Sequence, residues 1–283
     1  MLQDLSFGKL ENQYKNISPK TGDSVLCFKD KEILVRKMSD GKPILPEYEE
    51  FLGFLDNCEG ENNFCYAFTM QGVKCFLWMG DIPEVPSLWE YVTASDLRSM
   101  ETKELCFLVM TGLHLSQWYR KHRFCGGCAT PTVHDDKERM LRCPNCGNMI
   151  FPVICPAVII AVTDGDRLVL SKYAGRNYSR YALLAGFTEI GETMEETVAR
   201  EVMEEVGLKV KNIRYYKSQP WGVDGGVLMG FFCDLDGDDT IEIDENELSL
   251  AEWYNRDSLP AHDDGISLTR EMIGVFEKGM EPK

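Results

Sequence analysis

Between Gly186 and Leu208 the chain reads GFTEIGETMEETVAREVMEEVGL, which sets Glu192, Arg200, Glu201, Glu204, Glu205 and Gly207 at fixed offsets from the first glycine. So many carboxylates on one short helix repel one another. A cation held among them removes that penalty, and oxygen donors of this kind suit a hard divalent ion, magnesium or manganese. Glu201 and Glu205 lie one turn apart and can reach the same ion. A solvated, glutamate-rich surface helix explains the acids alone, but not Gly186, Glu192, Arg200 and Gly207 at their spacings.

A second constellation is sulfur. Cys125-Gly126-Gly127-Cys128 and Cys143-Pro144-Asn145-Cys146 are two C-x2-C knuckles separated by 14 residues. Each turn aims two thiolates at one point, and four sulfurs complete the tetrahedral shell that Zn2+ favours. With every position filled by cysteine no site is open, so the zinc is structural. The residues between the knuckles, Asp135, Asp136, Lys137, Glu138, Arg139 and Arg142, give no basic face for tracking phosphates.

The acid-rich segment resembles the Nudix box, G-x5-E-x7-R-E-U-x-E-E-x-G-U with U apolar, at every fixed position from Gly186 to Leu208. Ser218-Gln219-Pro220-Trp221 is similar to the S-Q-P-W-P-F-P motif of the NADH pyrophosphatase branch, whose members carry a four-cysteine zinc site before the Nudix domain. After Trp221, however, the chain reads Gly222-Val223-Asp224-Gly225-Gly226 in place of P-F-P. The resemblance covers roughly the C-terminal 165 residues in recognisable motifs. It implies an α/β (α+β) chain: a Nudix α/β/α sandwich with a mixed sheet, preceded by a zinc ribbon and an N-terminal α+β domain. It implies metal-dependent hydrolysis of the pyrophosphate bond of NADH or NAD to nicotinamide mononucleotide and AMP, with NAD-cap removal from RNA 5′ ends as a related activity. ADP-ribose or another nucleoside diphosphate conjugate is the rival substrate, which the altered loop keeps alive. A non-enzymatic zinc-ribbon adaptor is the rival from another class.

By the same resemblance Glu201, Glu204 and Glu205 are the catalytic acids and ligate Mg2+ or Mn2+ together with the Ala185 carbonyl and Glu247. Divalent ions neutralise phosphoryl charge and activate water. The general base is Glu205 or a carboxylate outside the box. Gly186 permits a sharp turn, and Glu192 with Arg200 reads as an ion pair fixing the loop against the helix. Phe187 and Trp221 offer flat faces to a nicotinamide or adenine ring, and Gln219 offers an amide donor and acceptor. Glu138, Phe151 and Thr269 fall at further substrate-contact positions of the family. The four histidines form no cluster and receive no role.

The elements that must position these groups follow from periodicity. Thr193 and Glu196 form a capping box. Val198, Ala199, Val202, Met203 and Val206 make an apolar stripe with Glu201, Glu204 and Glu205 on the complementary arc, and Gly207 closes the helix at C′. Ala157–Thr163 is an unbroken apolar run, as in a strand buried on both faces. It leads through Asp164-Gly165-Asp166 into a strand over Arg167–Lys172. Strands near 210–218, 227–234 and Ala251–Tyr254 precede a helix from Ser267 to Lys278. Earlier, Val25–Lys37 reads as a strand, Cys65–Gly80 as a hairpin turning at Gln71-Gly72, and Glu101–Arg123 as a helix with Leu105, Leu108, Val109 and Leu113 on one side. The expected domains are 1–120, 121–152 and 153–283, the first a degenerate Nudix-like scaffold by resemblance.

With 46 acids against 30 bases the net charge is −16, which disfavours loose binding to polyanions and leaves a phosphate substrate dependent on local cations. Seven cysteines, including Cys58, are scattered singly without a disulfide framework. Asp234 to Glu247 holds eight acids and no base, a solvated loop apart from Glu247. No run of about 18 apolar residues predicts a membrane span, and Met1-Leu2-Gln3-Asp4 lacks a signal pattern. A cytoplasmic protein is expected, and by resemblance a homodimer.

Overall fold

The computed structural model describes residues 1–5, 10–37, 41–55, 63–99, 103–175, 180–260 and 265–283. Cys58, His262 and the first two residues of the helix expected from Glu101 lie outside them. Two compact units emerge: Met1–Leu2 with Ile154–Trp221 and Gly226–Lys283, and Gln3–Val153 with Gly222–Gly225.

The unit of Gln3–Val153 opens with β1 (Leu10–Glu11), β2 (Ser24–Leu26), β3 (Phe28–Lys29), β4 (Glu32–Lys37), β5 (Pro43–Ile44) and α1 (Tyr48–Leu52). Then come β6 (Phe64–Met70), β7 (Val73–Trp78), β8 (Trp89–Thr93), α2 (Ala94–Ser99) and α3 (Lys103–Lys121). One sheet runs β1-β6-β7-β2; the other joins β3-β4-β5, with β8 beside β4. The hairpin turn at Gln71-Gly72 appears, with φ of 53° and 82°, the pair of positive angles a two-residue I′ turn needs. The strand expected over Val25–Lys37 is instead three, because Asp30 at φ 53° reverses the chain between β3 and β4. Helix α3 is also buried more widely than on one side: residues from Cys106 to Tyr119 are covered on most faces, with Leu105 only partly so. The ribbon strands β9 (Val133–His134), β10 (Leu141–Arg142) and β11 (Met149–Ile150) form a small antiparallel sheet in the same unit.

The other unit holds β12 (Cys155–Asp164), β13 (Arg167–Tyr173), β14 (Leu184–Phe187), α4 (Met194–Val206), β15 (Val210–Trp221), β16 (Gly226–Leu235), β17 (Leu248–Asn255) and α5 (Leu268–Glu277). Its six-stranded sheet runs β15-β16-β12-β13-β17, with β14 also paired to β12. Strand β12 is parallel to β16 and antiparallel to β13 and β14, so the sheet is mixed. Alternate residues of β12 feed two cores. Val158, Ile160 and Val162 pack with Val198, Val202 and Val206 of α4, whereas Ile159 and Ala161 pack with Leu268, Met272, Ile273 and Phe276 of α5. A strand buried on both faces explains the unbroken apolar run, and helices on both sides make an α/β/α sandwich. Among the described residues no helix is long and apolar enough to cross a membrane.

Candidate active site

Helix α4 begins as the sequence requires. Glu196 donates its backbone N–H to Thr193 Oγ1 at 3.2 Å, and Thr193 N–H donates to Glu196 Oε2 at 2.8 Å. Gly207 ends the helix at φ 72°. Such an N-cap contributes about 1 kcal/mol, enough to fix where the helix starts and therefore which residues face the sheet.

The facing differs from the expected stripe. Ala199 and Met203 point to solvent, while Glu201 and Glu205 are 8 % and 2 % exposed and share the inner arc with Val198, Val202 and Val206. At about 100° per residue Glu205 falls only some 20° from Val198 around the helix, so the geometry follows from the helical wheel. Glu204 alone of the three lies on the open side, its side chain 59 % exposed. Three buried valines contribute about 1.5–3 kcal/mol each, whereas each buried ion costs several kcal/mol unless compensated. Stability alone would not place two glutamates here.

Above them runs β14. Gly186 pairs with Val158 of β12 and Ala185 with Ile159. A Cβ on Gly186 would fall inside the Glu201 carboxyl group, far closer than the 3.0 Å that real Cβ atoms keep. The glycine therefore serves close approach of a carboxylate, rather than the sharp turn expected of it. Burial pushes the Glu201 carboxyl above the usual carboxylate range against the pull of Arg200, and the charges of Glu204 and Glu247 push it the same way. Glu247 itself is exposed at the end of the acid loop. Among the described residues, however, the carboxylates do not gather three ligand atoms within the 4.8 Å span that the four cysteines reach.

Arg200 organises the group. Its Nε and Nη2 donate to the two oxygens of Glu192 at 2.6 and 3.0 Å, Nη2 also to the Phe187 carbonyl at 2.9 Å, and Nη1 to Glu201 and Glu204 at 2.8 Å each. Such a bidentate pair is specific as well as strong. It holds the Glu192 carboxyl down to about 2, helped by the Glu189 backbone N–H and the Thr197 hydroxyl. Thr197, fully buried, donates to Glu192 Oε2 at 3.0 Å. Sequence reasoning passed over it; its position one turn after the N-cap, inside the box, was the available signal.

In the ribbon, Cys125 Sγ lies 3.6 Å from Cys146 Sγ and Cys128 Sγ 3.4 Å from Cys143 Sγ. All four sulfurs lie within 4.8 Å of one another, and a tetrahedral ZnS4 unit needs them about 3.8 Å apart, so the set fits zinc with small adjustments. The Thr130 hydroxyl and backbone lower the Cys128 thiol to about 5 and the Gly127 N–H lowers Cys125, whereas the neighbouring sulfurs push the Cys146 thiol up to about 12.

The NADH pyrophosphatase zinc ribbon domain matches residues 120–151, and the NUDIX domain matches residues 154–273. The NAD-capped RNA hydrolase NudC of Haemophilus influenzae is 37 % identical over 191 residues, 66 % of this chain and 71 % of that protein. The chain belongs to the Nudix hydrolase family. The protein of the same description from Klebsiella pneumoniae is 40 % identical over 163 residues, 57 % of this chain and 63 % of that one. A solved Nudix hydrolase of Nitrosomonas europaea superposes with a TM-score of 0.48 at 23 % identity, over 55 % of this chain and 91 % of the other. Membership makes this Nudix protein a hydrolase, not a zinc-ribbon adaptor, with structural zinc in the ribbon and a divalent metal in the family's chemistry.

The substrate-contact candidates of this Nudix hydrolase are not all placed alike. Phe187 is exposed beside Gly186, and Trp221 is half-buried at the end of β15. Thr269 sits half-buried in the first turn of α5. Glu138 and Phe151 are exposed in the unit that carries the ribbon. Gln219 departs from expectation: it is fully buried, its Nε2 donates to Ile266 O at 2.8 Å, and its Oε1 accepts from Leu268 N–H at 2.8 Å. The amide ties β15 to the start of α5 from both of its ends.

Proposed function

We propose that this enzyme hydrolyses the pyrophosphate bond of NADH or NAD to nicotinamide mononucleotide and AMP, and removes NAD caps from RNA 5′ ends. The observation that carries the reading is the pair of buried carboxylates, Glu201 and Glu205, beneath β14 in a chain whose ribbon and relatives are those of NAD-directed enzymes. Oxygen donors from Glu201, Glu204, Glu205, Glu247 and the Ala185 carbonyl would hold Mg2+ or Mn2+, and the buried charge of the two inner acids fits a hard cation. When bound, that ion supplies charge neutralisation for the phosphoryl oxygens and a more acidic water.

The protein's own part is positioning. Arg200 locks the loop to the helix through Glu192 and Phe187 O, so Gly186 and Glu201 stay in register. Glu205, or a carboxylate outside the box, takes the proton of the attacking water. Phe187 and Trp221 supply faces for the nicotinamide or adenine ring, with Thr269, Glu138 and Phe151 as further contacts. A second reading, cleavage of ADP-ribose, is favoured by the glycine-rich turn after Trp221, which replaces the bulkier P-F-P.

Chromatography of products from NADH, NAD, ADP-ribose and NAD-capped RNA with magnesium tests this. NMN and AMP from NADH, lost in Glu205→Gln, support it; cleavage of ADP-ribose alone selects the second reading. Turnover with magnesium, manganese or neither identifies the ion. We also propose a cytoplasmic homodimer. Localisation by fractionation tests the compartment, and sedimentation reads the oligomeric state.

A further inference from the structure

The turn Gly222–Gly225 packs with Gln3–Val153, although the strands it joins belong to the other unit. Its seat is α3. A Cβ on Gly222 would come far inside 3.0 Å of the Met110 carbonyl oxygen and 3.3 Å from His114 Cβ. Gly225, at φ 72°, faces the same imidazole: a Cβ there would stand 3.4 Å from His114 Nε2. That nitrogen lies 2.8 Å from the Val153 carbonyl. A carbonyl only accepts, so His114 donates from Nε2, and the hydrogen bond fixes the tautomer and the ring plane.

One side chain on a widely buried helix thus lies against the segment that leads into β12 and against the turn that follows Trp221. Trp221 is the residue before Gly222 and pairs with Gly226 across the last rung of the β15–β16 hairpin. The turn and that rung therefore share one stretch of backbone. A proline at Gly222, the first position of P-F-P, would meet the Met110 backbone.

We infer that His114 is a positioning residue for substrate: by holding the Gly222–Gly225 turn on α3 it sets the pose of Trp221 toward the dinucleotide ring. The inference rests on the reading of Trp221 as a ring contact. A histidine that served the fold alone would change stability without preferring KM over kcat.

A double-mutant cycle on the full-length chain separates these roles. NADH hydrolysis is measured for the parent, His114→Ala, His114→Gln, Trp221→Ala and His114→Ala/Trp221→Ala, with thermal melts of each. His114→Ala is expected to raise KM about fivefold with kcat within about twofold. His114→Gln, whose amide can donate to Val153 O, returns KM to within about twofold. In the Trp221→Ala background, already raised in KM, His114→Ala adds less than about twofold. His114→Asn, too short to reach the carbonyl yet still polar, replaces the alanine variant if that one unfolds. Equal His114 effects in both backgrounds, or a loss confined to kcat, overturn the inference while leaving Trp221 in place. An unchanged KM in Trp221→Ala overturns the ring contact and this inference together.

Discussion

The space above Gly186 is filled by the carboxyl group of Glu201, so a strand glycine and a helix acid share one volume. Gly186→Ala must push Glu201 off its position or part β14 from α4. Turnover is expected to fall at least about a hundredfold, more than the melting temperature accounts for. A variant of near-parental activity would show that the position of Glu201 does not matter.

Glu205→Gln keeps the shape of a fully covered side chain and removes its charge. Because a neutral amide is cheaper to bury than a carboxylate, the melting temperature should hold or rise while kcat falls at least about a hundredfold. Loss of both together would make Glu205 a fold residue instead.

Arg200 and Glu192 give a pH signature. The folded-state value of Glu192 is depressed to about 2 from an ordinary 4.5, so its stabilisation is fully present above the unfolded value and is lost as pH falls through the folded one. Urea unfolding of the parent and Glu192→Gln at pH 6, 4 and 2.5 should show a stability gap that narrows stepwise with acid. A gap independent of pH would exclude this ion pair as its cause.

Zinc removal separates scaffold from chemistry. The parent should carry about one zinc per chain, and Cys143→Ser should lose it together with thermal stability. Full stability in a zinc-free Cys143→Ser would contradict a structural metal. A strong chelator should reproduce the loss in the parent, and activity should return only when both zinc and magnesium are restored.

Much of this site could be read before any coordinates. The capping box at Thr193 and the αL glycine at 207 fix both ends of α4 from local rules, and the apolar run of β12 announces a strand covered twice. What escaped was tertiary. The apolar stripe puts the acids on the complementary arc, yet the wheel angles set Glu205 beside Val198. An amide's versatility suggests a ligand contact at Gln219, and only the fold shows its bonds to Ile266 and Leu268. The break at Asp30 was equally hidden, since a non-glycine residue at positive φ has weak sequence signal. His114 drew no role for the same reason: its partner lies 39 residues away.

Strand β12 lends one edge to nine parallel partners in β16 and divides the other between β14 and β13. Amide protons along such a strand exchange with solvent only when the whole layer opens. The segment bearing Ala185 and Gly186 hangs on that strand, so it inherits the slowest breathing of the sheet. Fraying of α5 or of the aspartate-rich loop should leave Ala185 and Gly186 in place.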